Sequence, residues 1–219
     1  MTDQPLLIAI CGRPGSGKSA LQDVLSKLYG FTPIDDGETI RRHIMDIVQL
    51  SENDVYSQEG KLRHTEFCGK KWQNRKLLGE YGNHLEAMFG HDIMPTLAIR
   101  KAYKDYQSQI SDFDASTSCA HSLVGYTFGS VRRQQGKTYH AAGGVVVEIT
   151  RPNNEKSGNE FDLYDERLVD YRIRNQGVSL EELEDEVRKS DLARWISWKS
   201  NAQFCQLTKV NEQCITTQR

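Results

Sequence analysis

The sequence lacks the features that would place it outside the cell, in a membrane or around a structural metal. Its five cysteines, Cys11, Cys68, Cys119, Cys205 and Cys214, form no C-x-x-C pair and no zinc-ligand spacing. An odd, scattered set of this kind is the pattern of reduced thiols in a cytoplasm. The six histidines contain no H-x-x-x-H pair, which removes the simplest metal-binding helix face. No apolar run approaches the roughly 20 residues that cross a bilayer. Nor does a positively charged stretch precede the first apolar one, so neither a membrane span nor a signal peptide is expected. A net charge of −2 and a pI near 6.3 give no general basic footprint for nucleic acid. The guanine-reading N-K-x-D of GTPases is missing, and there is no internal repeat or low-complexity tract.

What the chain does have is concentrated near its start. Gly12-Arg13-Pro14-Gly15-Ser16-Gly17-Lys18-Ser19 fits G-x-x-x-x-G-K-S/T without a mismatch. Glycines let the backbone take conformations closed to other residues and bring its N–H groups up to phosphate oxygens. The lysine adds a mobile positive charge for the β- and γ-phosphates, and Ser19 a hydroxyl for Mg²⁺. The surroundings agree. Leu6 to Cys11 is a continuous apolar run, as in a strand buried on both faces, and Leu21, Val24, Leu25 and Leu28 fall on one face of a following helix. Strand, glycine loop and helix in this order hold a phosphate at a helix N-terminus. Gly12, Arg13, Pro14, Gly15, Ser16, Gly17, Lys18 and Ser19 are therefore the candidate ATP-binding residues, with Lys18 catalytic and Ser19 a metal ligand.

At 219 residues, 37% hydrophobic and with a mean hydropathy of −0.62, the chain suits one domain, or a core with a smaller insertion, and much polar surface. Residues 31–36 read as a short second strand, followed by a helix from Glu38 to Leu50 with Ile40, Ile44, Ile47 and Val48 at helical spacing. Residues 51–72 read as irregular structure with one short helix. Further helices are expected from Leu77 to Phe89 and from about Ile93 to Tyr106, then a Ser/Asp-rich connection. Strands are expected at 122–128 and 145–149, the latter the most β-branched run in the chain, with a helix over 132–142 between them. The polar, glycine-containing stretch 153–166, bracketed by Arg151 and Arg167, has lid character, and 168–174 reads as a last strand. Ser179 and Glu182 form a capping box that opens a helix running towards Trp195 and Trp198. Strands separated by helices give an α/β fold, a doubly wound parallel sheet. The expected organisation is a P-loop core of residues 1–36 and 119–200, a helical acceptor-binding insertion at 37–118 without a strand, a lid at 153–166 within the core, and a C-terminal tail at 201–219.

Arginines follow the later strands, where a motor ATPase would show an acid. Thr127-Phe128-Gly129-Ser130 leads to Arg132, and Ile149-Thr150 to Arg151. Phosphoryl transfer is mostly positioning and electrostatics, and arginine grips phosphate oxygens bidentately while staying charged. Several arginines suit a kinase whose acceptor is itself a phosphate. Arg132 stands at a strand C-terminus, where α/β sheets bind ligands. A solvated helix arginine for Arg41, a surface ion pair for Arg151 and an ordinary turn for Asn175 are the alternatives at those positions.

Gly37-Glu38-Thr39-Ile40-Arg41 is similar to the G-D-x-x-R of adenylate kinases, and Gly129-Ser130-Val131-Arg132 to their G-F-P-R. The nearer likeness is to the deoxynucleoside monophosphate kinases of bacteriophages. Their D-x-R turn, short helix and Gly-Gly strand ending in Arg-Pro resemble Ser130-Val131-Arg132 and the run from Ala142 to Pro152. Their later D-Y-x-I-x-N-x-G is mirrored from Asp170 to Gly177, and the segments starting at Tyr56, Leu77 and His91 also look related; the likeness spans roughly residues 6 to 195. The resemblance implies a P-loop kinase moving the γ-phosphoryl of ATP to a (deoxy)nucleoside monophosphate. It implies Arg41, Arg132 and Arg151 as substrate-binding residues, Arg132 as catalytic besides Lys18, Asn175 at the ATP, and ATP with Mg²⁺ as cofactors. Small-molecule nucleotides are the expected partners, without nucleic acid or membrane; a homodimer is left open. The location implied is cytoplasmic, in a bacterial host cell if the chain is phage-encoded. The families' acid ahead of the arginine is absent here, where Phe128, Gly129 and Ser130 stand. Asp35 is expected to hold the metal waters instead, unless Asp35 and Asp36 only cap the helix starting near Glu38.

Overall fold

The structure, a computed structural model, describes residues 4–111, 124–152 and 163–200. Along the chain the elements are β1 (Leu6–Cys11), α1 (Lys18–Tyr29), β2 (Thr32–Ile34), α2 (Glu38–Val48), α3 (Glu52–Tyr56), α4 (Gln58–Leu62), β3 (His64–Phe67), β4 (Lys70–Gln73), α5 (Asn74–Phe89), α6 (Ile93–Ser111), β5 (Gly125–Phe128), α7 (Gly136–Ala141), β6 (Val145–Thr150), β7 (Tyr171–Arg174) and α8 (Leu180–Lys189). A last helical stretch, α9, covers 191–200. Two compact units are present, one formed by Met1–Ile34 with Ile99–Arg219 and one by Asp35–Ala98.

The first unit is built on a five-stranded, wholly parallel sheet in the order β2-β5-β1-β6-β7. Alternation along β1 assigns its two faces. Leu6, Ile8 and Ile10 form one core with Val147, Ile149 and Ile173, closed by Leu21, Val24 and Leu25 of α1, Leu183 and Val187 of α8, and Leu192 and Ile196 of α9. On the other face, Tyr126 pairs in register with Leu7 and Phe128 with Ala9. There Phe128 packs on Tyr139 of α7, with ring centroids 4.9 Å apart, and the Tyr126 hydroxyl donates to Asp105 of α6 at 2.7 Å. Helices on both faces of a parallel sheet are the doubly wound α/β arrangement expected from the order of strands and helices. Truncating any one of these fully buried leucines or isoleucines to Ala costs about 2–5 kcal/mol.

The second unit has its own small core of Ile44, Val48, Leu50, Val55 and Leu77. Residues 51–72 are more regular than the sequence reading, which saw irregular structure with one short helix and no strand in this part of the chain. Two short helices, α3 and α4, lead into an antiparallel hairpin, β3 paired with β4. A Ser51–Asp54 capping box opens α3, and Ser57 caps α4 while closing α3. The hairpin eluded a periodicity search because its two strands have four residues each and turn at Cys68-Gly69, both at positive φ.

Other boundaries also moved. The helix read over 132–142 is only Gly136–Ala141, because Arg133 forms an isolated bridge with Tyr164 and Gln134 and Gln135 make a turn first. The strand read over 168–174 starts at Tyr171, after a single turn of 3-10 helix at Glu166–Leu168. The one helix read from Leu180 to Trp198 breaks at Ser190, whose extended backbone ends α8 and whose hydroxyl accepts the amide of Ala193. Helix α6 continues past Tyr106 to Ser111. Among the described residues no helix is long and apolar enough to cross a membrane. Most of the lid reading, at 153–162, and the tail at 201–219 lie outside the described residues.

Candidate phosphate-binding site

The loop between β1 and α1 is shaped by three glycines at positive φ: Gly12 at 148°, Gly15 at 74° and Gly17 at 104°. Two of them also stand in crowded places, Gly12 against backbone and Gly17 against a side chain. A Cβ on Gly12 would lie 2.5 Å from the Ile149 carbonyl oxygen, and one on Gly17 2.3 Å from Asn175 Nδ2. Gly17 is the N-cap of α1 and offers no side chain, so the helix start keeps its amides for a ligand. Lys18 folds back over the loop, its ammonium donating to the carbonyls of Gly12 at 2.8 Å and Arg13 at 3.1 Å. Ser16 Oγ is buried and, among the described residues, has no hydrogen-bond partner. An orphaned buried hydroxyl costs about 1–3 kcal/mol, a cost relieved when an acceptor arrives.

The loop is bolted from behind. Asn175, just beyond β7, donates Nδ2 to Ser16 O at 2.8 Å and accepts the Gly177 amide on Oδ1 at 2.9 Å. Arg151 reaches Gly15 O at 3.5 Å and Gly177 O at 3.3 Å, lying where a side chain on Gly177 would stand. Asn175 and Arg151, chosen from sequence as ligand contacts, thus also hydrogen-bond the loop itself. A third support was not foreseen: Gln22 of α1 donates to Thr127 O at 3.2 Å and to Thr127 Oγ1 at 3.3 Å. This ties the helix that follows the loop to the C-terminal end of β5.

Arg132 stands in the turn after β5. Val131 donates its amide to Ile10 O at 3.2 Å, and Gln135 closes the turn by receiving the Arg132 amide at 3.1 Å and donating its own to Arg132 O at 2.9 Å. Arg133 follows at φ 44° and exchanges backbone bonds with the 163–165 stretch, at 2.6 Å from its amide to Leu163 O and 2.8 Å from the Asp165 amide to its own carbonyl. The C-terminal end of the lid reading is therefore pinned beside Arg132. The end of β5 carries Thr127 and Phe128, both fully buried, and no acid.

Glu148 is a buried charge beside the loop that the sequence reading passed over. It stands in register with Cys11, accepts Arg172 Nε at 2.7 Å and takes a short hydrogen bond from the Tyr164 hydroxyl. Burial, and then the charge of Glu148, push the Cys11 thiol up to about 12, which leaves it inert at neutral pH. Burial and Glu148 also raise the Tyr164 hydroxyl above its ordinary value, so it stays a donor.

In the Asp35–Ala98 unit, Asp35 Oδ1 accepts the Gly37 amide at 3.0 Å and makes a short ion pair with Arg41. The guanidinium of Arg41 lies over Tyr56, 5.0 Å from its centroid. A Cβ on Gly37 would meet both terminal nitrogens of Arg41 at 2.9 Å, so the guanidinium lies directly against this glycine. Neither Tyr56 nor the close approach of Gly37 could be read from spacing. Among the described residues no group of three His, Cys, Asp or Glu side chains could hold a metal ion.

The parallel sheet of this order, with a glycine loop and an uncapped helix following its central strand, defines a P-loop α/β protein. No protein-family model matches the chain. Over 58 residues it is 40% identical to an adenylate kinase of Azobacteroides pseudotrichonymphae genomovar. CFP2, a match that takes in 26% of this chain and 30% of that protein. It therefore spans less than a third of the adenylate kinase's length. Among solved structures it is similar to TT1252 from Thermus thermophilus, at 16% identity and TM-score 0.43, covering 85% of this chain and 96% of the other. It is also similar to a shikimate kinase from Aquifex aeolicus, at 16% identity and TM-score 0.39 over 90% and 98% of the two chains. A dephospho-CoA kinase from Campylobacter jejuni gives 17% identity and TM-score 0.37, again over 90% and 98%.

Proposed function

We propose that this chain is an ATP-dependent kinase that transfers the γ-phosphoryl group to a (deoxy)nucleoside monophosphate, giving the diphosphate. The observation that carries the reading is the loop itself: three positive-φ glycines, a helix start without a side-chain cap, and an ammonium drawn across the loop. Phosphoryl transfer asks little more of a protein than positive charge held in place. In this reading Lys18 leaves the carbonyls of Gly12 and Arg13 for the β- and γ-phosphates. Arg132, at the end of β5, neutralises the transferring group, and Arg41 takes the phosphate of the acceptor. Arg151 and Asn175 keep the loop in shape. The nature of the acceptor is supported by the partial identity to an adenylate kinase and by the order of the arginine motifs.

Mg²⁺ fits the donor set. Ser19 offers one hydroxyl beside the loop, and an ion that keeps several waters takes its remaining oxygens from the phosphates. When bound it neutralises charge on the β- and γ-oxygens. Asp35 is kept as the proposed acceptor for metal-bound water, and Asp35→Asn should then raise the Mg²⁺ concentration needed for half-maximal rate.

The test is release of ADP from ATP, followed by a coupled assay, with and without each nucleoside and deoxynucleoside monophosphate in turn. Turnover that depends on one or a few monophosphates, with the matching diphosphate as product, is the expected result. Nucleotide binding without acceptor-dependent turnover across the whole panel would overturn the reading in favour of a binding module.

A further inference from the structure

The turn that carries Arg132 is fastened on both flanks, and both fastenings lead back to the strands beside the glycine loop. On one flank Val131 donates its amide at 3.2 Å to the carbonyl of Ile10 in β1, the strand that runs into the loop. On the other, Arg133 forms a parallel bridge with Tyr164. The Arg133 amide reaches Leu163 O at 2.6 Å, and its carbonyl accepts the Asp165 amide at 2.8 Å. Arg133 sits at φ 44°, in the left-handed region, which a residue with a Cβ keeps only where its surroundings impose it.

The side chain at the centre of the bridge supplies that constraint. Tyr164 donates its hydroxyl to Glu148 in a short hydrogen bond. Glu148 is buried, is held through its other oxygen by Arg172 Nε at 2.7 Å, and stands in register with Cys11, the residue before Gly12. A hydrogen bond to an ionised carboxylate is stronger than one between neutral groups, and burial keeps water from taking its place. Leu163 is exposed and the Asp165 carboxylate faces Arg167, so Tyr164 is the residue that fastens the bridge to the sheet. Arg132 thus stands between two ties to the loop. One runs directly from Val131 to Ile10, and the other from Arg133 through Tyr164 and Glu148 to the register of β6 with β1 at Cys11.

We infer that Tyr164 is a positioning residue for Arg132: through its hydroxyl on Glu148 it fixes the turn of Arg132 relative to the phosphate-binding loop. The inference rests on the kinase reading for what Arg132 does, while the anchor is a property of the folded chain alone. Phosphoryl transfer depends on charge held at a set place, so loosening this turn should cost rate rather than substrate binding.

Tyr164→Phe removes the hydroxyl, keeps the ring and leaves Glu148 with Arg172. Amide hydrogen exchange on the full chain without nucleotide reads the anchor directly. Arg133 and Asp165 should exchange about tenfold or more faster in the variant, the loss of one hydrogen bond to a buried carboxylate, while Ile8 in the centre of the sheet exchanges as in the parent. Kinetics then tests the link to Arg132. Tyr164→Phe should lower kcat on the order of tenfold with both KM values little changed, and in an Arg132→Ala background it should lower kcat no further. A residue that merely supported the fold would give the same loss in both backgrounds. Parent-like exchange at both amides would overturn the inference. So would an unchanged kcat in Tyr164→Phe, or equal losses of kcat with and without Arg132. The kinase reading can fail separately: a parent without acceptor-dependent turnover removes that activity, and faster exchange at Arg133 and Asp165 in Tyr164→Phe would still uphold the anchor.

Discussion

At the scale of single residues, Lys18 and Gly17 stand side by side in the loop and are there for different reasons. Lys18 donates to two loop carbonyls, bonds that a phosphate can replace, and Lys18→Ala should leave the fold intact. Its charge is needed as charge develops on the transferring group, so kcat should fall more than tenfold, which is more than about 1.4 kcal/mol of barrier. A melting temperature close to that of the parent, together with that loss of rate, is the expected pair of results. Gly17→Ala should do the reverse first. At φ 104°, with Asn175 Nδ2 2.3 Å from the new Cβ, the substitution strains the backbone and expels the side chain that holds Ser16 O. A loss of about 1–3 kcal/mol in urea unfolding follows from that strain, and parent-like stability would show that the loop can relax around the methyl group. Lys18 was legible from spacing alone, because a motif fixes its own members. The supports were not: Gln22 lies 105 positions before Thr127, and Asn175 lies 159 positions after Ser16, so no local pattern joins them.

At the scale of elements, burial made the inner strands easy to read. The three inner strands β5, β1 and β6 are recognisable as apolar or β-branched runs, since both faces of such a sheet must be covered, whereas the more exposed edge strands β2 and β7 were read from a short run after the first helix and from alternation. The β3–β4 hairpin was not, because its residues are mostly exposed or half-buried and alternate no apolar face. Strand β6 holds one exception to its own apolar pattern, Glu148, and β7 supplies its partner. Glu148 is buried between Arg172 in the register of β7 and the hydroxyl of Tyr164, which comes from the stretch that pairs with Arg133. Removing Arg172 leaves the carboxylate with Tyr164 alone. Arg172→Met should therefore cost about 1–3 kcal/mol, the desolvation of an undersatisfied buried group, discounted because the arginine itself is largely exposed. Adding Glu148→Gln to that variant should restore part of the loss, since an amide asks less of its surroundings than a carboxylate. Urea titrations of the two single variants and the double variant read this directly. Strictly additive losses would mean that the pair contributes nothing to holding β6 against β7.

At the scale of the whole molecule, the two units divide the proposed work. The proposed triphosphate cradle belongs to the unit of Met1–Ile34 and Ile99–Arg219, and Arg41 belongs to Asp35–Ala98. Each has its own core. A division of labour in structure predicts a division in kinetics. Arg41 is positioned by Asp35, Gly37 and Tyr56, all within its own unit. Arg41→Ala should accordingly raise the KM for the acceptor by about tenfold or more, as expected for a lost charge-assisted contact, while the KM for ATP moves little. Arg132 is fixed in the turn that Val131 ties to Ile10, at the C-terminal end of the strands that carry the loop. If it neutralises the transferring group, Arg132→Ala should lower kcat and kcat/KM together, with smaller changes in either KM. Steady-state rates with both substrates varied, on the parent and the two variants, separate these outcomes. Equal rises in both KM values for Arg41→Ala would place its effect on overall folding or on both substrates at once, and an unchanged kcat for Arg132→Ala would remove it from the transfer step.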